Sequence, residues 1–119
     1  MSPAERLIRS LNDAWLANDF DAILACYHPN VILLPPDAGD PIVGREAVVA
    51  SYRAFSKQAK LTSFEVAELL SYEIDDLCAV HMRFDVKYRL DDSDFEESGM
   101  EVYWLDAAPS IIWRHQMVL

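Results

Sequence analysis

The sequence predicts an α+β domain: three helices first, then a strongly curved antiparallel sheet wrapped on them. Two observations carry this. Apolar residues in 2–27 and 45–58 repeat at helical spacing, and from Leu61 onward the period switches to two. The 119 residues make a single domain spanning residues 1–119, large enough for one core.

"SPAERLIRSLNDAWLAN" opens with a helix signal. Ser2 can cap, Pro3 suits the first helical position, and Glu5 completes a capping box with Ser2. Leu7, Ile8, Leu11, Ala14 and Trp15 then share a face. Asn18 or Asp19 starts a second, shorter helix whose apolar residues Phe20, Ile23, Leu24 and Tyr27 keep the same spacing, and Pro29 ends it. Val31 to Leu34 is short and rich in branched aliphatic residues, which predicts a strand. Pro35 and Pro36 terminate it or place it at an edge. "REAVVASYRAFSKQ" is the third helix, with Val48, Tyr52 and Phe55 facing inward.

"LTSFEVAELLSYEI" and "LCAVHMRFDVKYRL" are long strands around a turn at Asp75–Asp76. Cys78, Val80, Met82, Phe84, Val86 and Tyr88 alternate with His81, Arg83, Asp85, Lys87 and Arg89, so one face is core and the other polar. "DDSDFEES" is expected to be a charged hairpin loop. "GMEVYWLD" and "SIIWRHQMVL" are the last strands, joined around Pro109.

Twenty acids against ten bases leave a formal charge of −10, which repels phosphate backbones and anionic lipid. Nucleic acid and membrane surfaces are therefore not expected partners. No apolar run approaches the roughly 20 residues of a membrane-spanning helix, and the N-terminus reads as a helix start rather than a signal peptide. The expected location is cytoplasmic. Cys26 and Cys78 form no spaced motif and are expected to be buried and reduced.

The order and spacing of "LNDAWLANDFDAILACYHPNVILLPPDAGDPIVGREAV", together with the terminal "SIIWRHQM", resemble the NTF2-like superfamily. Within it the chain looks closest to the SnoaL-like and DUF4440 domains, relatives of ketosteroid isomerase. The resemblance implies an NTF2-like (cystatin-like) cone, a bent mixed or antiparallel sheet covered by helices, with a pocket between them. It also implies a homodimer through the outer sheet face. In the isomerases a carboxylate base sits near the end of the first strand, where this chain has Leu34 and Pro35. Their tyrosine on the first helix falls near Leu11. Their protonated partner acid lies on a middle strand, where the nearest candidate, Asp85, has polar-face parity. The isomerase constellation is therefore not expected.

Asp37 is the first weak catalytic candidate, since a loop shift could bring it to the pocket rim. Asp37 and Asp40 between prolines are equally ordinary turn chemistry. His115 is the second. Alternation places it inward with Ile111, Trp113 and Met117, where it could act as acid or base or simply sit hydrogen-bonded in the core. Leu33 and the aromatics Trp15, Tyr52, Phe55, Tyr103 and Trp113 converge with His115 as expected pocket lining or core. His81, Arg83 and Asp85 lack a nucleophile beside them and suit a sheet face packed on a second subunit. His28 suits a helix C-terminus. "DDSDFEE" lacks the glycine and spaced glutamate of a calcium loop, and the histidines have no metal-ligand spacing. No metal or cofactor is expected.

These readings point to a domain binding a small apolar or carbonyl-containing molecule in the cone. One alternative is an enzyme of the SnoaL or ketosteroid isomerase kind, an isomerase, cyclase or hydrolase moving protons with His115 or Asp37. The other is an association module whose cone is packed solid.

Overall fold

The computed structural model describes residues 2–36, 39–106 and 111–118. Three helices, α1 (Pro3–Leu16), α2 (Phe20–Ala25) and α3 (Arg45–Gln58), pack on one mixed sheet. Its strands are β1 (Tyr27–Leu34), β2 (Ile42–Val43), β3 (Ala59–Ile74), β4 (Leu77–Leu90), β5 (Ser93–Asp106) and β6 (Ile112–Met117). The spatial order is β2-β1-β6-β5-β4-β3, with β1 and β6 parallel and every other pair antiparallel.

The expected capping box closes α1: the Glu5 backbone donates to Ser2 Oγ at 3.1 Å and the Ser2 backbone to Glu5 Oε2 at 3.4 Å. The second Glu5 oxygen accepts from Ser71 at 2.9 Å, which fastens the helix start to β3. Asn18, at φ 55°, turns the chain, and Asp19 caps α2 through Ala22 N–H at 3.2 Å. α2 ends at Ala25, and Tyr27, expected on that helix, begins β1 instead. Tyr27 pairs with Ile112 across the parallel ladder, and a register break before Ile32 accommodates Pro29, which has no N–H to give. The short edge strand β2 was not expected. It pairs Ile42 and Val43 with Leu33 and Ile32 beyond the prolines. Gly44 then enters α3 at φ 95°, a conformation that a side chain resists.

Long hairpins build the rest. The charged segment 91–98 is not a loop: only Asp91 and Asp92 turn, and β5 begins at Ser93. Cross-strand pairs support it, with Lys87 opposite Glu96 and Phe95 stacked on Tyr88 at 5.4 Å. β3 carries irregularities between Leu61 and Ser63 and between Val66 and Glu68. Such extra residues bend a strand and shift its parity. Phe64 and Val66 therefore face the helices, as do Leu69 and Ser71 past the second break. Leu70, Tyr72 and Ile74 are left on the outer face beside His81 and Leu77. Cys26 and Cys78 are buried free thiols.

Among the described residues no helix is long and apolar enough to cross a membrane. Nor does any group of three or more His, Cys, Asp or Glu gather as a metal site would.

Candidate functional site

Between the helices and the inner sheet face lies an open cavity of about 320 Å³. Its wall is aromatic. Trp15 of α1 packs against Tyr52 and Phe55 of α3 at 5.9 and 6.1 Å between ring centres, and edge-on to Phe64 of β3 at 5.4 Å. Phe84, Val86, Leu61, Leu33, Pro35, Ile42 and Met117 complete the apolar lining, with Phe64 packed behind Trp15. The polar lining comes from Ser51, Tyr52, Tyr88, Glu97 and Glu101. Ser51 is committed to the Val48 carbonyl at 2.6 Å, and Tyr88 donates to Glu97 at 2.9 Å in an exposed position.

Glu101 is different. Its side chain is 13% exposed, it lines the cavity, and it shares the inward parity of Tyr103 and Leu105 on β5. Oε2 accepts a hydrogen bond from Tyr103 at 2.5 Å and lies 3.3 Å from Nε2 of His115, whose side chain is 1% exposed. That contact has ion-pair distance without the alignment of a full hydrogen bond. Oε1 accepts no hydrogen bond among the described residues. Burial alone would raise the Glu101 carboxyl, but the facing His115 and the hydrogen bond from Tyr103 outweigh it and hold it below its ordinary value. Glu101 is thus ionised at neutral pH, with one oxygen held by Tyr103 and the residue lining the cavity.

Behind it runs a buried polar chain. His115 Nδ1 lies 3.0 Å from the Tyr27 hydroxyl, which lies 2.9 Å from the Tyr52 hydroxyl. The Tyr103 ring stacks on His115 at 4.2 Å. Burial pushes the Tyr27, Tyr52 and Tyr103 hydroxyls well up, and the Glu101 charge adds to the shift in each, so all three stay protonated. A smaller gap of about 30 Å³, lined in part by Asn12, Glu101 and Tyr103, lies alongside. Among the described residues the buried Asn12 side chain donates to the Met82 sulfur, at 3.0 Å.

Of the residues singled out from sequence, Trp15, Leu33, Tyr52 and Phe55 meet at the cavity. Tyr103 and His115 lie beneath its floor, with Glu101 between them and the open space. Trp113 stands apart. β6 holds one extra residue there, opposite the Trp104–Leu105 step of β5, so Ile112 takes the inward position expected of Ile111 and Trp113. Asp37 lies outside the described residues, and Asp40 is exposed. Asp85 bonds Ser98 at 2.5 Å, away from the cavity. The residue missed is Glu101. Asp85 was the middle-strand acid considered from sequence, and Glu101 on β5 was not weighed, although it is Glu101 that lines the cavity. Its signal was a lone acid at the parity of Tyr103 and Leu105 in "GMEVYWLD".

The family model of the SnoaL-like domain matches residues 8–113. No curated protein sequence matches. Among solved structures, a Mycobacterium tuberculosis protein in complex with estradiol-17beta-hemisuccinate superimposes with a TM-score of 0.84 at 20% identity, covering 100% of this chain and 95% of that one. A ketosteroid isomerase-like protein from Erwinia carotovora gives 0.78 at 16% identity, over 95% and 90% of the two chains. An epoxide hydrolase of M. tuberculosis gives 0.78 at 13% identity, over 97% and 80%. At these identities the likeness is one of fold.

Proposed function

The chain belongs to the SnoaL-like domain family, and from that premise we propose that it binds a small, mainly apolar carbonyl compound in the cone cavity and removes a proton from it with Glu101. The observation that carries this reading is a buried, ionised carboxylate, Glu101, in the lining of a mainly apolar, aromatic-walled cavity. A hollow of about 320 Å³ is within the range of small-ligand sites. The aromatic wall suits a flat ring system, in keeping with the steroid derivative held by the mycobacterial neighbour. Two carboxylates in the lining, with a chain charge of −10, select against anions. Tyr52, the other deep polar group, offers its hydroxyl to the carbonyl oxygen. The hollow itself counts against an association module with a filled cone.

The test uses 1-tetralone, a compact ketone with exchangeable protons beside its carbonyl. Intrinsic tryptophan fluorescence, to which Trp15 in the cavity wall contributes, is titrated to measure binding, and deuterium uptake from D2O is followed by NMR. The expected result is saturable quenching and accelerated uptake, with Glu101→Gln losing about 10²–10⁴-fold of the acceleration while still binding. Binding without accelerated uptake overturns the chemistry. No binding at millimolar ketone overturns the cavity as the ligand site.

Dimerisation through the outer sheet face is also proposed. It is supported by Leu70, Tyr72, Ile74 and Leu77, which are 43%, 49%, 63% and 40% exposed there. Light scattering that finds only monomer at high micromolar concentration removes it.

A further inference from the structure

Glu101 held below its ordinary range is ionised but weakly basic, so proton removal there is helped by proton delivery elsewhere on the ligand. The buried polar chain leads to such a place. From Glu101 Oε2 it passes to His115 Nε2 at 3.3 Å, from Nδ1 to the Tyr27 hydroxyl at 3.0 Å, and on to the Tyr52 hydroxyl at 2.9 Å. Both ends line the same cavity, while His115 and Tyr27 are 1% and 0% exposed and lie off its wall. A run of contacts, two hydrogen bonds and one close approach at ion-pair distance, that starts and finishes on one cavity's wall is more than core satisfaction requires: a single partner would satisfy each hydroxyl.

We propose that Tyr52, Tyr27 and His115 form a proton relay that couples Glu101, the base, to Tyr52, the acid, across one bound ligand. The proposal rests on the enolisation reading above and deepens it. The relay requires Glu101 as a carboxylate and a proton on each His115 ring nitrogen, Nε2–H toward Glu101 and Nδ1–H toward Tyr27. Tyr27 donates to Tyr52, and Tyr52 to the ligand's carbonyl oxygen. Glu101 Oε1 takes the proton from the adjacent carbon, and the C–H electron pair becomes the enol double bond. Tyr52 gives its proton to the carbonyl oxygen, Tyr27 refills Tyr52, and His115 Nδ1 refills Tyr27. The end state is a carboxylic acid and a neutral imidazole keeping Nε2–H. The pair holds the same number of protons before and after, no tyrosinate forms, and no outside reactant is needed. Running the steps backward, with Glu101 returning its proton to the same or a conjugated carbon, resets the site. The substrate class is therefore a ketone that gains a proton on oxygen as it loses one from carbon.

The experiment pairs two measurements on the full chain. In the first, protein labelled with 15N-histidine is compared with Tyr27→Phe and Tyr52→Phe. The relay predicts that the His115 Nδ1 resonance moves in both variants, although Tyr52 is bonded to Tyr27 rather than to His115. In the second, Tyr27→Phe is expected to slow 1-tetralone exchange about tenfold at saturation with unchanged binding, because Tyr27 is off the cavity wall. The solvent-isotope dependence of the rate, curved when several protons move together, is expected to become linear. A His115 resonance unmoved by Tyr52→Phe overturns the relay, and so does a Tyr27→Phe protein exchanging at the unaltered rate. Unaccelerated exchange by the unsubstituted protein overturns the enolisation reading instead, and the resonances then still decide whether the chain is connected.

Discussion

Glu97 and Glu101 stand on the same strand, line the same cavity and each accept a tyrosine hydroxyl. They nevertheless occupy different environments. Glu97 sits at the exposed rim with Tyr88, on a hairpin end where water screens its charge. Glu101 sits where the sheet passes under the helices, lining the cavity with a buried imidazole beside one oxygen. Residue type and strand are the same, so depth and the partner behind the carboxylate decide what each acid can do. A rim carboxylate can repel anions. A floor carboxylate can hold or move a proton.

Substitutions can break or sharpen that contrast. The largest effect is expected from Glu101→Gln, which keeps an acceptor for Tyr103 but loses the base. Ketone exchange should fall by about 10²–10⁴-fold, measured by NMR at saturating 1-tetralone. His115→Phe fills similar space but leaves the Tyr27 hydroxyl without its ring-nitrogen partner and removes the polar group facing Glu101. We expect it to lower stability by about 1–3 kcal/mol in urea unfolding, as leaving buried polar groups unpaired does. Acid should act through the same pair. The Glu101 carboxyl is held below its ordinary 4.5 in the folded chain, so it contributes stability above pH 4.5 that is lost as pH falls through the lower folded value. Glu101→Gln should abolish that part of the acid dependence, seen as a smaller drop in melting temperature between pH 5 and pH 3. Glu97→Gln should do least: stability within about 0.5 kcal/mol, as for exposed positions generally, and exchange essentially unaltered.

Much of the frame was legible from periodicity. The third helix and the long β4 strand match their patterns, because each buries one face against a continuous neighbour. Tyr27 was misplaced because it suits two periods at once, closing a helical stripe after Leu24 and opening a strand before Val31. Trp113 was misplaced because alternation cannot reveal an inserted residue, and only the ladder to β5 exposes it. The acids of 93–98 lie on a strand because pairing with β4, not composition, holds them there. Glu101 was passed over for a related reason. A lone acid among apolar residues carries little signal until the fold sets it against Tyr103 and His115, which come from its own and the neighbouring strand.

The most direct measurement is a crystal structure of the protein soaked with 1-tetralone. The account predicts the ketone between Trp15 and Phe84, its oxygen within hydrogen-bond reach of Tyr52 and its neighbouring carbon over Glu101. A ketone bound at the rim beside Glu97, or on the outer sheet face, with the floor carboxylate untouched, would contradict it.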